Sequence, residues 1–172
     1  MKKDECLVGI ELCHPAAKRP AYQHSGDAGM DIYAVEEVVI APGETCLLHT
    51  GLKFRIPSGY ELEIRPRSGL SVNTRLRIPN APGTIDSGYR DELMIPLYNA
   101  SAELERPFEV YDLSTKQSPW GAYRVRPGER IAQMLLKRVE TMCFVDVAEL
   151  DRCESFESVE DRAGGFGSTG LE

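Results

Sequence analysis

No run of apolar residues in this 172-residue chain approaches the roughly 20 that a membrane-spanning helix requires. The opening residues, Met1-Lys2-Lys3-Asp4-Glu5-Cys6, lack the apolar core of a signal peptide. Paired cysteines are missing as well. The five that occur (Cys6, Cys13, Cys46, Cys143 and Cys153) are odd in number and form no CxxC, which argues against a disulfide scaffold or a zinc finger and for reduced thiols in a cytoplasmic protein. Positive charge is in deficit: 20 Lys and Arg face 27 Asp and Glu, a net charge of −7. A surface of that sign argues against a general nucleic-acid or membrane binder, yet a few well-placed arginines can still hold a small anion. The three histidines have no metal-ligand spacing, and the chain contains no GxxxxGK[ST], HExxH or GxSxG. Convincing helical periodicity, internal repeats and an interdomain linker are also absent.

What remains is an all-β pattern. Tyr60-Glu61-Leu62-Glu63-Ile64-Arg65 alternates apolar and charged residues, the period of a half-buried strand. Residues 7–12, 38–40, 45–49, 52–56, 93–98, 108–113, 131–139 and 144–147 are further strand candidates. Turn signals such as Ala41-Pro42-Gly43, Pro57-Ser58-Gly59, Pro82-Gly83 and Arg126-Pro127-Gly128 divide them. Many short strands at this spacing predict a sandwich, jelly roll or barrel. Residues 100–123, with the polar run Ser114-Thr115-Lys116-Gln117-Ser118-Pro119-Trp120-Gly121, read as a long loop. The last two dozen residues, acidic and then glycine-rich, cannot bury enough apolar surface to order themselves.

Four segments carry candidate chemistry, each with an ordinary alternative. The tail contains Gly165-x-Gly167-x-x-Gly170. No helix can follow it, so a dinucleotide site is excluded. It is either a flexible tail or an arm whose amides and hydroxyls wrap phosphates. Arg65-Pro66-Arg67-Ser68-Gly69-Leu70 follows a strand and is either a turn with a solvated arginine or an anion site. The stretch from Pro79 to Arg90 places Asn80, Asp86 and Tyr89 near one bend, which is either a set of turn formers or a small-ligand cleft. Ser25-Gly26-Asp27-Ala28-Gly29-Met30-Asp31 offers two acids before a strand, suited to a solvated turn or to a hard cation.

Taken together and in order, these four segments and the stretch Gly128–Met134 resemble the five motifs of the trimeric dUTPases (deoxyuridine triphosphate nucleotidohydrolases). Ala28-Gly29-Met30-Asp31-Ile32-Tyr33-Ala34 is similar to the first motif and Pro66-Arg67-Ser68-Gly69-Leu70 to the second. Gly83-Thr84-Ile85-Asp86-Ser87-Gly88-Tyr89-Arg90 is similar to the third, with Asn80 upstream. Gly128-Glu129-Arg130-Ile131-Ala132-Gln133-Met134 is similar to the fourth, and Gly164-Gly165-Phe166-Gly167-Ser168-Thr169-Gly170 to the fifth. Three departures stand out. Tyr89-Arg90-Asp91-Glu92 replaces the usual Tyr-Arg-Gly-Glu. Asp161 stands where the fifth motif usually has its arginine, with Arg162 next to it. Residues 100–123 lengthen the link between the third and fourth motifs.

The resemblance implies a jelly-roll-like homotrimer with active sites at subunit interfaces. Residues 1–148 would be the β domain, and 149–172 a flexible arm closing a site. It implies Mg²⁺-dependent hydrolysis of dUTP to dUMP and pyrophosphate, supplying dUMP for thymidylate synthesis and keeping uracil out of DNA. It implies that Asp86 and Gln133 are catalytic and that Asp31 holds the metal through water. Arg67, Ser68, Gly69, Arg130, Arg162, Gly167 and Ser168 would meet the phosphates. Gln133 would help place the attacking water and the α-phosphate, and Asn80, Gly83, Thr84, Ile85, Asp86 and Met94 would contact the rest of the nucleotide. Tyr89 would pack under the deoxyribose and Phe166 on the uracil. Two other readings share the scaffold. One is a non-catalytic nucleotide sensor or partner-binding module, suggested by residues 100–123 and Trp120. The other is a dCTP deaminase, which needs a glutamate where this chain has Pro96.

Overall fold

The computed structural model describes residues 5–102, 107–144 and 146. In chain order the elements are β1 (Gly9–Leu12), β2 (Met30–Tyr33), β3 (Val38–Ile40), β4 (Thr45–His49), β5 (Leu52–Arg55), β6 (Tyr60–Arg65), α1 (Ser68–Asn73), β7 (Leu76–Arg77), β8 (Gly83–Ile85), β9 (Met94–Asn99), β10 (Val110–Asp112), β11 (Ala122–Val125) and β12 (Arg130–Arg138). The chain is all-β apart from one six-residue helix among the described residues. It divides into two units, Met1–Glu140 and Thr141–Glu172. The described residues of the second unit, 141–144 and 146, have no regular structure, in contrast to the strand expected over 144–147. Residues 145 and 147 of that candidate, and the rest of the tail, lie outside the described residues.

Four small sheets enclose the core of the first unit: β1-β5, β10-β11-β3, β2-β12-β6-β8 and β4-β9-β7. The alternation in β6 is realised, with Leu62 and Ile64 buried between more exposed charged neighbours. Ile32, Leu48, Leu52, Ile95, Leu97, Tyr123, Val125 and Ile131 are completely buried. Such burial contributes about 1.5–3 kcal/mol per large aliphatic side chain. Pro96 sits in β9, the middle strand of its sheet, a position that normally rejects proline. It is tolerated because β7 is only two residues long and pairs with Tyr98 and Asn99, not with Pro96.

Strands β2, β7, β8 and β11 escape a periodicity reading because each spans four residues or fewer. The segment 100–123 is more structured than a long loop. It carries β10, within the strand candidate 108–113, and the start of the unforeseen β11, and the two pair in parallel. Asn99, wholly buried, ties it down by donating Nδ2 to the carbonyls of Ile40 at 3.0 Å and Gly121 at 2.8 Å. Its Oδ1 accepts from the Ser101 amide at 3.0 Å. Ser118 donates its amide to the Asn73 carbonyl at 3.1 Å, and the Arg75 guanidinium stacks on the half-exposed Trp120 at 4.2 Å. Cys6, Cys13, Cys46 and Cys143 are free thiols. No helix among the described residues is long and apolar enough to cross a membrane.

Asn99→Ala removes the side-chain donor to the buried Ile40 carbonyl and the acceptor of the buried Ser101 amide, while the Gly121 carbonyl keeps the Ser101 hydroxyl at 3.1 Å. It is expected to cost about 3 kcal/mol of stability, read as a lower urea midpoint at fixed protein concentration. An unchanged midpoint would show that residues 100–123 hold their place without Asn99.

Candidate active site

Strand β12 lies between β2 and β6 and sets one row of the site. Gln133 faces Asp31 on one side and Arg65 on the other. Simple alternation would send Arg130 and Gln133, three residues apart, to opposite faces of the sheet. A bulge between Arg130 and Ala132 adds a residue to β12. Ile131 and Ala132 therefore go into the core together, and Arg130 returns to the face of Gln133. Re-aiming a side chain in this way is a common use of bulges beside functional sites.

Asp31 is 9% exposed and is the electrostatic centre of this face. Arg67 donates Nε to its Oδ1 at 2.7 Å, and Arg130 donates Nη1 to its Oδ2 at 3.2 Å. Two cations on one buried carboxylate are mutually tolerable because that charge lies between them. Arg67 occupies the N-cap of α1, and Ser68 and Gly69 begin the helix, where first-turn amides have no intrahelical acceptor. Gln133 is held by a hydrogen bond from Nε2 to the Pro66 carbonyl at 2.9 Å. A side chain at Gly29 would press on Gln133, since a Cβ there would stand 3.0 Å from Oε1.

An open cleft of about 610 Å³ is lined by Asp31, Arg65, Arg67, Ser68, Arg130 and Gln133, together with Gln23, His24, Asp27 and Gly29. Three of its residues are arginines, so an acidic chain concentrates positive charge at one place. Asp27, the other acid of the Ser25–Asp31 segment, accepts from the amides of Gln23 at 3.1 Å and His24 at 2.8 Å and closes a turn. Of the two acids, only Asp31 pairs with arginines of the cleft. No group of three or more metal-ligating side chains occurs among the described residues.

The third-motif residues lie elsewhere. Gly83, Thr84 and Ile85 form the edge strand β8 on β6, Gly83 facing Ile64 and Ile85 facing Leu62. Asp86 follows the end of β8, and the same register carried one residue further would set it level with Glu61. It is then two strands and four residues away from Gln133, roughly 17 Å in an ordinary sheet. Asp86 and Tyr89 are at least partly exposed, and neither lines the cleft. Asn80 is exposed, its amide nitrogen 3.5 Å from where a Gly83 Cβ would be. Met94 opens β9 opposite His49. Arg162, Phe166, Gly167 and Ser168 lie outside the described residues. Sequence reasoning misses the bulge at Ile131 and the part of Arg65 in the cleft. Two adjacent apolar residues between Arg130 and Gln133 are the available signal for the bulge.

A family model described as dUTPase matches residues 16–107, and the deoxyuridine 5'-triphosphate nucleotidohydrolase of Solibacter usitatus is 39% identical over 95% of both chains. The chain belongs to the dUTPase family. A second dUTPase relative, from Thermobifida fusca, is 40% identical over 95% of this chain and 78% of its own. Among solved structures, the dUTPase of Staphylococcus bacteriophage 80alpha with dUPNHPP superposes with a TM-score of 0.81 at 32% identity. That match covers 96% of this chain and 99% of the phage chain. A mutant dUTPase from phage phi11 of S. aureus, described with a structural Mg(II) ion, superposes with a TM-score of 0.76 at 28% identity, covering 85% of this chain and 99% of that one.

The Asp31–arginine cluster makes a prediction independent of turnover. Asp31→Asn removes the charge that occupies Arg67 and Arg130. Without added metal, inorganic triphosphate should bind roughly three- to tenfold more tightly, measured by titration calorimetry in EDTA. Weaker binding would mean that the arginines need Asp31 to hold their positions.

Proposed function

We propose that this chain hydrolyses dUTP to dUMP and pyrophosphate, using sites assembled from more than one copy of itself. The observation that carries the reading is the convergence of Arg67 and Arg130 on Asp31 in a cleft that also holds Ser68 and Gln133. That is a set of donors suited to a polyphosphate. Family membership and the phage relative with dUPNHPP favour dUTP as the nucleotide. Pro96 stands in β9 after the third motif and carries no titratable group, which disfavours deamination.

In this reading the phosphates draw Arg67 and Arg130 from Asp31, and Ser68 and Gly69 add neutral donors. Asp31, so released, would be the residue to hold a Mg²⁺ ion through water. A single carboxylate suits Mg²⁺, which usually retains several waters and takes its other ligands from substrate phosphates. When bound, the ion supplies charge neutralisation on the phosphate oxygens. Asp86 accepts the proton of a water whose oxygen bonds to the α-phosphorus, and accepts from the ribose 3'-OH. The bond from that phosphorus to the bridging oxygen breaks and pyrophosphate leaves. Gln133, fixed by Pro66, orients the water and the α-phosphate. Backbone groups of Gly83, Thr84, Ile85 and Met94, with Asn80, read the uracil edge, and Tyr89 excludes a 2'-OH. Phe166 covers the base, while Arg162, Gly167 and Ser168 of the 149–172 arm close on the phosphates.

Because Asp86 and Gln133 lie roughly 17 Å apart by sheet register, one chain cannot bring both to the same phosphorus. A second chain must supply one of them, and a closed three-fold ring of identical interfaces does so for every site. Asp86→Asn and Gln133→Ala should each lower kcat, the first by about 10²- to 10⁴-fold. Mixed one to one with subunit exchange verified by mass spectrometry, the two inactive variants should recover about one quarter of wild-type activity. That is the statistical share of sites with both residues intact when they come from different chains. Zero recovery would place Asp86 and Gln133 of one chain in the same site.

A further inference from the structure

The bend that carries Asp86 and Tyr89 is fastened to the sheet through Glu92. Glu92 Oε1 accepts from the amides of Thr50 at 3.1 Å and Gly51 at 2.7 Å. Its Oε2 meets His49 Nδ1 at 2.9 Å. The next residue continues the seam, with Leu93 N donating to Leu52 O at 2.8 Å and Thr50 Oγ1 donating to Leu93 O at 2.6 Å. Tyr89 takes its position from the same anchor. Its phenol donates to the Glu92 carbonyl at 2.9 Å, and its amide donates to the Asp86 carbonyl at 3.1 Å. Tyr89 is 37% exposed, so these bonds, more than packing, decide where its ring stands.

We propose that His49 is a positioning residue for sugar selectivity: by bonding Glu92 it fixes the segment from which the Tyr89 ring is held, so that the preference for dUTP over UTP depends on its protonation state. The inference rests on the reading of Tyr89 as the group that excludes a 2'-OH. Steric exclusion requires a wall that does not yield. If the Glu92 segment loosens, the ring can move aside and a ribonucleotide gains more than a deoxyribonucleotide does.

The charges around His49 favour its cationic form. The hydrogen bond to Glu92 raises its pKa above the ordinary value. Partial burial opposes that shift, and the Glu92 and Glu36 charges add to it. Glu36, from the connection between β2 and β3, also accepts from the His49 amide at 3.2 Å. Met94, opposite in β9, is not titratable. Burial alone would raise the Glu92 carboxyl, but hydrogen bonds from His49 and from the Gly51 and Thr50 amides outweigh it and hold the pKa low. Glu92 is therefore an anion throughout the neutral range. The charged bond is complete below the ordinary imidazole pKa and is lost as pH rises through the raised one. The His49 side chain is 47% exposed, so the effect is that of a half-exposed ion pair.

The test is the ratio of kcat/KM for dUTP to that for UTP, measured from about pH 6 to about pH 8.5. General-base protonation, the γ-phosphate and uracil N3 titrate alike for the two substrates and cancel in this ratio. In the wild-type protein the ratio is expected to fall roughly two- to fivefold across that range. In His49→Gln it should be flat and near the wild-type high-pH value. Glu92→Gln keeps an acceptor for the two amides but removes the anion, and should flatten the profile as well. A ratio independent of pH in the wild type, or an equal fall in His49→Gln, overturns the proposal. Tyr89→Ala separates the two claims. If it lowers the ratio while the wild-type profile is flat, Tyr89 guards the sugar without His49. If it leaves the ratio unchanged, the Tyr89 reading fails and this inference fails with it.

Discussion

Strand β12 is paired on both sides, to β2 and to β6, and the chemistry of the cleft depends on that double pairing. It brings Asp31, Gln133 and Arg65, from three distant parts of the chain, into one row. The bulge at Ile131 then turns Arg130 onto the same face. Neither half of this arrangement works alone. Without the pairing the residues are far apart, and without the bulge Arg130 points into the core, where an unpaired guanidinium is very costly.

The cleft also shows how a chain with net charge −7 can receive an anion. Arg65, Arg67 and Arg130 face one opening, and their repulsion is relieved from beneath. Asp31 pairs with Arg67 and Arg130, while Arg65 bonds Glu63. Each arginine is thereby kept in a defined place before substrate arrives, at the cost of ion pairs that a bound anion must displace. Overall negative charge limits adhesion to nucleic acids without weakening this local field.

The third-motif bend is built on a different principle. It is anchored through Glu92 to the turn between β4 and β5, and it stands at the far edge of the sheet that holds the cleft. On the proposed function, the bend and the cleft belong to sites shared between copies of the chain, so catalysis would require assembly. The ordered 107–122 segment is a third feature, tied through Asn99, Arg75 and Ser118 to the core and to the end of α1.

Much of this is legible in the residues themselves. Period-two alternation marks β6, turn formers mark strand ends, and Asp31, Arg67, Ser68, Arg130 and Gln133 stand out by chemistry and family resemblance without any knowledge that they share a cleft. Local rules govern these features, since alternation follows from pleating and turns from glycine and proline. The rest depends on contacts between residues far apart in sequence. Asn99, an ordinary residue at a strand end, orders the segment expected to be a loop because two carbonyls from distant elements lie within its reach. His49, with no metal-ligand spacing, gains its meaning from Glu92, 43 residues away. The sequence determined the fold class and, through family resemblance, which residues to expect around the phosphates. Only tertiary structure decided which of them share a cleft, because strand register and a one-residue bulge are set by long-range pairing.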